Sequence, residues 1–340
     1  MRVIDMHCDT IERLFMLQEK GQPQVLRENE LHIDLLRMRQ SQYLLQNFAL
    51  FVMLKEGEDP WERVCRLCDL YEQEMERNSD LIAPVYHFSD IADNDRAGKM
   101  SALLTVEEGG VCKGEIEKLR ELYRRGVRML TLTWNFPNEL GWPNLVKGQV
   151  NRQSCHVPNT TQGLTERGKE FVAEMEALGM IPDVSHLSDA GFYDVLETTK
   201  KPFVASHSNA RAVCPWVRNM TDDMIRKLAE RGGVMGLNFC ADFLEEVPEG
   251  QKNPGTIAAV VRHAKHIANV GGIDVLGLGS DFDGIDTHEE LPGAQSMGEL
   301  WDALKSGGFT ESQLDQIFWK NVLRVYEEVL QTRMVKIYGI

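Results

Sequence analysis

Short apolar runs rich in Val, Leu and Ile alternate along the chain with longer stretches whose apolar positions recur every three or four residues. Runs that are apolar on both faces suit strands of a buried parallel sheet. They predict strands at Val3–Asp9, Asn47–Leu54, Ala102–Glu107, Arg128–Trp134, Ile181–His186, Phe203–His207, Gly233–Asn238 and Val275–Asp281. The 3.6-residue pattern predicts helices at Trp61–Arg77, Glu115–Arg125, Thr165–Leu178, Asp189–Thr198, Thr221–Arg231, Thr256–Val270, Met297–Lys305 and Glu311–Leu330. Thr165 and Thr221 stand where N-caps belong, and Gly179 stands where the third helix should stop. About eight strand–helix units fit an α/β (β/α)8 TIM barrel. A doubly wound open sheet would carry a Gly-rich phosphate turn after an early strand, and this chain has none. No linker divides the sequence, which reads as one barrel domain over residues 1–340. Residues 10–45 and 135–163 read as irregular excursions. The second follows a strand C-terminus and should lie over the active face.

Composition narrows the function classes. Of 340 residues, 37 are Lys or Arg and 52 are Asp or Glu, a formal charge of −15. Nucleic-acid or anionic-membrane binding needs a basic face, so neither partner is expected. No window of 18 apolar residues offers a membrane span. His7 and Asp9 fall where a secretory signal would need its apolar core. Seven cysteines, an odd number, suit free thiols in a cytoplasmic protein better than a disulfide framework. Cys65 and Cys68 form a C-x-x-C, but in a charged helical stretch without a second pair, where redox or zinc use is not expected. A homodimer is the default for an enzyme of this size.

In a barrel the chemistry sits at the C-terminal ends of strands. His7 and Asp9 end the first strand, Glu107 and Glu108 the third, His186 the fifth, His207 the sixth and Asp281 the eighth. A lone His or Asp at a strand end is usually a cap or a turn former. Five strands delivering such groups to one rim have no common structural use. Three histidines with two or three carboxylates and no thiolate cluster suit zinc, with manganese or iron as alternatives. More ligands than one tetrahedral ion needs point to two ions about 3.5–4 Å apart sharing a carboxylate. His32, His87, His263, His266 and His288 read as surface or packing histidines, and Asp283 as a turn former before glycine.

The segments DMHCDT (5–10), LLTVEEGG (103–110), DVSHLSD (183–189), ASHSNARAVCPWVRN (205–219) and GLGSDFDG (277–284) resemble, in order and spacing, those of the membrane (renal) dipeptidases. These are zinc peptidases of the amidohydrolase superfamily, and KNVLRVYEEV (320–329) extends the resemblance over the whole chain. The resemblance implies His7 and Asp9 on one zinc, His186 and His207 on the other, and a bridging glutamate. Ungapped counting back from Leu130–Thr133 selects Glu107, with Glu108 as the alternative; strand alternation lets only one face inward. It further implies Asp281 as the acid/base group, and Arg218, with Asn219 beside it, as substrate-binding residues. Trp134 stands where animal members carry a histidine, so either Asn135 or another loop residue such as His156 substitutes as a substrate contact, or nothing does. The implied activity is hydrolysis of dipeptides, with tolerance of a D-residue at the second position, by a hydroxide held between two zinc ions. The rival readings are an N-acyl-amino-acid deacylase or lactonase on the same centre, and a barrel without catalysis.

Overall fold

The computed structural model describes residues 1–331 apart from Arg152, Glu249, Lys252, Thr287 and His288. The reading of His288 therefore lies outside the described residues. Nine parallel strands form the sheet: β1 (Val3–Asp5), β2 (Tyr43–Phe51), β3 (Ile82–Pro84), β4 (Met100–Glu107), β5 (Val127–Thr131), β6 (Ile181–Asp183), β7 (Val204–Ala205), β8 (Val234–Leu237) and β9 (Leu276–Leu278). Their order is β2-β1-β9-β8-β7-β6-β5-β4-β3, and β2 also pairs with β4, so eight strands close into a (β/α)8 barrel. The ninth, β3, was not expected. It pairs with Met100–Ala102 at the start of β4, on the edge that β5 takes over from Leu104 onward.

The apolar residues sort into two layers. Ile4, Met6, Leu45, Leu103, Met129, Ile181, Val204 and Val234 form an inner cluster. The C-terminal helix Asn321–Val329 plugs it with Val322, Val325, Tyr326 and Val329. Leu104, Val106, Leu130, Ala205 and Met235 belong to the outer cluster beneath the surrounding helices. Burying each such side chain contributes about 1.5–3 kcal/mol. The alternation on β4 sets up the chemistry above. Leu103 joins the lower lumen, so Thr105 and Glu107, two and four residues on, project to the same side higher up.

Helix boundaries follow local chemistry. Thr165, Ser188, Thr221 and Thr256 each accept a backbone N–H three residues ahead, capping their helices. Gly179 ends helix Glu166–Leu178 in the left-handed region, φ +77°. The stretch 10–45 is more regular than expected. It opens at once into helix Thr10–Glu19, adds helix Leu35–Gln40, and β2 begins at Tyr43. The first helix buries the short apolar stripe of Ile11, Leu14 and Phe15. The described residues of 135–163 are irregular apart from single bridges at Gly141 and Pro143 and one turn at Ser154–His156. The expected helix Glu311–Leu330 contains a π-helical segment at Gln316–Lys320.

His263, on helix Ile257–Gly271, is a packing histidine, fully buried. Its Nδ1 accepts the Ala210 N–H at 3.1 Å, and Nε2–H donates to the Leu244 carbonyl at 2.9 Å. Burial pushes its pKa down to about 4. The unfolded chain binds that proton near the usual imidazole value, about 6.5, so between the two values the unfolded state holds more protons. Stability should therefore fall as pH drops from 6.5 to 4, by up to about 3 kcal/mol from this group. Urea unfolding at pH 7 and pH 4.5 should show a smaller pH loss in His263→Gln than in the parent.

Candidate metal centre

The sequence-predicted residues sit on or just past the strand ends. Glu107 ends β4, and His7, His186, His207 and Asp281 follow β1, β6, β7 and β9 within three residues. Closure of the barrel brings them into one buried cluster. Glu107 lies at its centre: Oε1 is 3.1 Å from His186 Nε2 and 3.5 Å from His207 Nε2, and Oε2 is 3.4 Å from His7 Nε2. Asp9 Oδ2 lies 3.3 Å and Asp281 Oδ1 3.9 Å from the same His7 Nε2. The Nε2 atoms of His186 and His207 are 3.0 Å apart. Three overlapping groups each bring three donor atoms within 4.8 Å of one another: His7–Asp9–Glu107, Glu107–His186–His207 and His7–His207–Asp281.

Glu108 is disposed of by geometry. Its backbone turns at φ +97°, and its fully buried carboxylate accepts from the Gly110 and Trp134 amides and from Asn138 Nδ2. It pins the loop after β4 to the loop after β5, with burial pushing its pKa up to about 7.

The donor set fits divalent cations. His7 Nε2 and Asp9 Oδ1 are buried without a hydrogen-bond partner, a costly state that a cation would relieve. Hydrogen bonds orient the rings for it. The His207 Nδ1–H points at Ser206 Oγ, 2.8 Å away, and Ser206 Oγ–H donates to Asp183 at 2.6 Å. The Nδ1–H of His186 donates to Asn135 Oδ1 at 3.0 Å. Both imidazoles are thereby left with Nε2 free to accept a metal. Protein charges alone leave the cluster unbalanced. Burial opposes charge on His7, but Glu107 and Asp9 outweigh it and hold the ring well above the usual imidazole pKa. Burial also raises Asp9 well above the carboxylate range and Asp281 to about 6, and drives His186 down to about 4. A dication among them favours ionised carboxylates and neutral rings.

Sequence reasoning missed the layer beneath. Asp5 accepts from Ser280 N at 2.8 Å and Ser280 Oγ at 2.6 Å. Asp183 accepts from Ser206 N at 2.8 Å and from Thr131 Oγ1 at 2.6 Å. Each fixes the loop that presents the residue after the serine, Asp281 or His207. The signal was present: a serine directly precedes both residues, and an aspartate stands two or three positions before His7 and His186. Asn238 Nδ2 donates to Asp281 at 2.9 Å. Glu108, His186, Asp281 and Asp283 all adopt positive φ without being glycine, strain that the surrounding hydrogen bonds must hold in place. Asp283 is a turn former as read, accepting from Thr10 Oγ1 and the His32 amide. His32 therefore does more than pack, since its Nδ1 also accepts the Asp283 N–H.

Above the cluster opens a cavity of about 350 Å3. Asp9, Glu107, His186 and Asp281 reach it from below, Phe51, Met53, Trp134 and Leu145 form an apolar wall, and Arg218 and Asn135 also line it. Arg218 is buried, donates to the His207 carbonyl at 3.1 Å, and keeps its Nε unpartnered. Two expected residues are not brought here. Asn219 is consumed by the fold: Nδ2 donates to the Cys214 and Phe243 carbonyls, and Oδ1 accepts from Asn209 N. His156 lies by a neighbouring cavity, between the Pro215 carbonyl and Glu246. The turn Ser154–His156 packs on Trp216, which draws the ring away. Cys68 is buried on helix Pro60–Arg77, and burial pushes its thiol up to about 12, which disfavours the reactive thiolate there.

A family model for membrane dipeptidase, peptidase family M19, matches residues 1–336. An uncharacterized protein in the pqqA 5′ region of Klebsiella pneumoniae is 36% identical over 238 residues, 69% of this chain and 85% of that protein. Dipeptidase tcpJ of Claviceps purpurea is 30% identical over 308 residues, 88% of this chain and 69% of the relative. Among solved structures, a Rhodobacter sphaeroides metallopeptidase liganded with a phosphinate mimic of the dipeptide L-Ala-D-Ala superposes with a TM-score of 0.87 at 25% identity, covering 97% of this chain and 99% of that one.

The two glutamates should separate cleanly. Glu107→Gln is expected to lose bound metal after equilibration with zinc. Glu108→Gln should keep its metal but lose about 1–3 kcal/mol of stability through its weakened loop bonds. Elemental analysis and urea unfolding of both variants check this.

Proposed function

Since this chain belongs to the membrane dipeptidase family of metallopeptidases, peptidase family M19, we propose that it is a binuclear zinc dipeptidase, with manganese or iron as alternative ions. The observation that carries this reading is Glu107, whose two oxygens reach histidines from both halves of the cluster. His7 and Asp9 would hold one ion, His186 and His207 the other, and Glu107 would bridge them. Such cations supply Lewis-acid polarisation of the scissile carbonyl and lower the pKa of water toward about 7.

The chain's own residues supply the rest. Asp281, held by Asn238, takes a proton from the attacking water and delivers it to the leaving amine. Arg218 pairs with the substrate's free carboxylate, for which its unpartnered donor and buried setting are suited. This anchor confines substrates to those whose carboxylate lies one residue from the scissile bond. Asn135 takes the position beside His186 and orients its ring. The ligand of the Rhodobacter sphaeroides relative supports tolerance of a D-residue at the C-terminal position. Trp134, packed at a tilt against Phe51 and Phe136 with ring centroids 4.9 and 5.3 Å away, contributes to the apolar wall of the cavity. A homodimer is our reading of the assembly.

Zinc-loaded protein is expected to release amino acids from L-Ala-L-Ala and L-Ala-D-Ala and to lose that activity on chelation. Retained activity after complete metal removal would overturn the reading. Asp281→Asn should lower kcat by at least about 100-fold with metal retained, the size of a general acid–base contribution. Arg218→Lys, assayed by steady-state kinetics, should instead act mainly on KM, since lysine keeps the charge but loses the planar fork.

A further inference from the structure

A dipeptide carries an ammonium as well as a carboxylate, and the dipeptidase reading leaves the ammonium without a partner. Arg218 donates to the His207 carbonyl, and Glu107 joins the histidines of the cluster. Asp9 lies on the His7 side. Glu12 stands three residues beyond Asp9 on helix Thr10–Glu19, so the two share a helix face. It lines the same cavity.

Glu12 is an under-compensated carboxylate. Its side chain is 12% exposed, and it accepts no hydrogen bond among the described residues. Arg63 Nη2 stands 3.9 Å off, and the hydrogen bonds of this guanidinium to carboxylates run through Nη1, to Glu19 at 3.0 Å and Glu58 at 3.3 Å. Lys55 pairs with Glu58 at 4.0 Å. Arg13, the next residue, also lines the cavity but is exposed, where solvent screens its charge. A mostly buried acceptor without a donor is costly, and a ligand ammonium would satisfy it.

We propose that Glu12 is the subsite for the substrate's free α-ammonium, so that the cavity reads a dipeptide at both ends, carboxylate on Arg218 and ammonium on Glu12. Arg218, Glu107 and Glu12 all line the one cavity in which a dipeptide would lie over the cluster. This rests on the dipeptidase reading and sharpens it, because an N-acyl amino acid has no ammonium to offer Glu12.

The test compares zinc-loaded wild type and Glu12→Gln on L-Ala-L-Ala and N-acetyl-L-Ala-L-Ala. Wild type should prefer the free dipeptide by roughly tenfold or more in kcat/KM, the worth of one charge-assisted bond. In Glu12→Gln that preference should collapse, through a raised KM for the free dipeptide alone, with metal content and unfolding midpoint unchanged. Equal cleavage of both compounds by wild type, or an undiminished preference in Glu12→Gln, overturns the subsite. If wild type cleaves neither, the dipeptidase reading falls, and calorimetric binding of the same two compounds decides the subsite. Tighter binding of the free dipeptide that is lost in Glu12→Gln supports it, and equal binding overturns it.

Discussion

Burying a carboxylate at the mouth of a closed barrel is tolerable only if other groups answer its charge, and Glu107 imposes that condition on everything around it. Its two oxygens are met by three imidazoles from three different strand ends. Despite burial, the charge on His7 holds the Glu107 pKa well below the usual carboxylate value. The arrangement requires β4 to pair with β2 on one side and β5 on the other, which is the closure of the sheet itself. Fold and centre therefore depend on one another: without closure the histidines stay apart, and without the histidines the buried charge is unsupported.

The centre is held by a layer of hydrogen bonds that contributes no ligand. Asp5 with Ser280 and Asp183 with Ser206 repeat one device. In both, at strand pairs separated by β8 alone on one side of the barrel, a buried carboxylate accepts from the backbone and hydroxyl of the serine preceding a cluster residue. Asp183 also accepts the amide of Ser185, the residue before His186, so each carboxylate steadies a neighbour, Asp281 or His186, at a positive φ that side chains usually avoid. Close packing adds to the rigidity. A Cβ at Gly279 would lie 1.7 Å from the Ser206 carbonyl oxygen, and one at Gly284 would lie 2.2 Å from Asp9 Oδ2. Only glycine lets these loops approach so closely.

Below this layer the lumen is apolar and plugged by helix Asn321–Val329, with Tyr326 Oη donating to Asn47 at 2.8 Å where the two zones meet. Above it, the cavity combines an apolar wall with Arg218 and Glu12. That division suits small zwitterionic substrates: dispersion and desolvation favour the side chains, while buried charge makes unpaired ends costly.

Much of this was legible in the chain. Alternating apolar runs and 3.6-residue stripes carry the eight strand–helix units, because burial of one face is a local pattern. Motif spacing carries His7, Asp9, Glu107, His186, His207 and Asp281, because strand ends in a barrel share a rim. Three things were decided only by tertiary structure. Counting selected Glu107 but left Glu108 as an alternative, which was removed only by the backbone turn at φ +97° that sends the Glu108 carboxylate to Gly110, Trp134 and Asn138. Asn219 and His156, adjacent in sequence to credible site residues or loops, were taken up by carbonyls and by Glu246. Glu12, in a stretch read as irregular, became a cavity residue because a helix starts at Thr10 and lifts it one turn above Asp9. Sequence determines which residue types reach the rim, since that depends on period and spacing. Where each side chain points once there depends on which partner satisfies its polar atoms, and partners hundreds of residues away appear only in the folded chain.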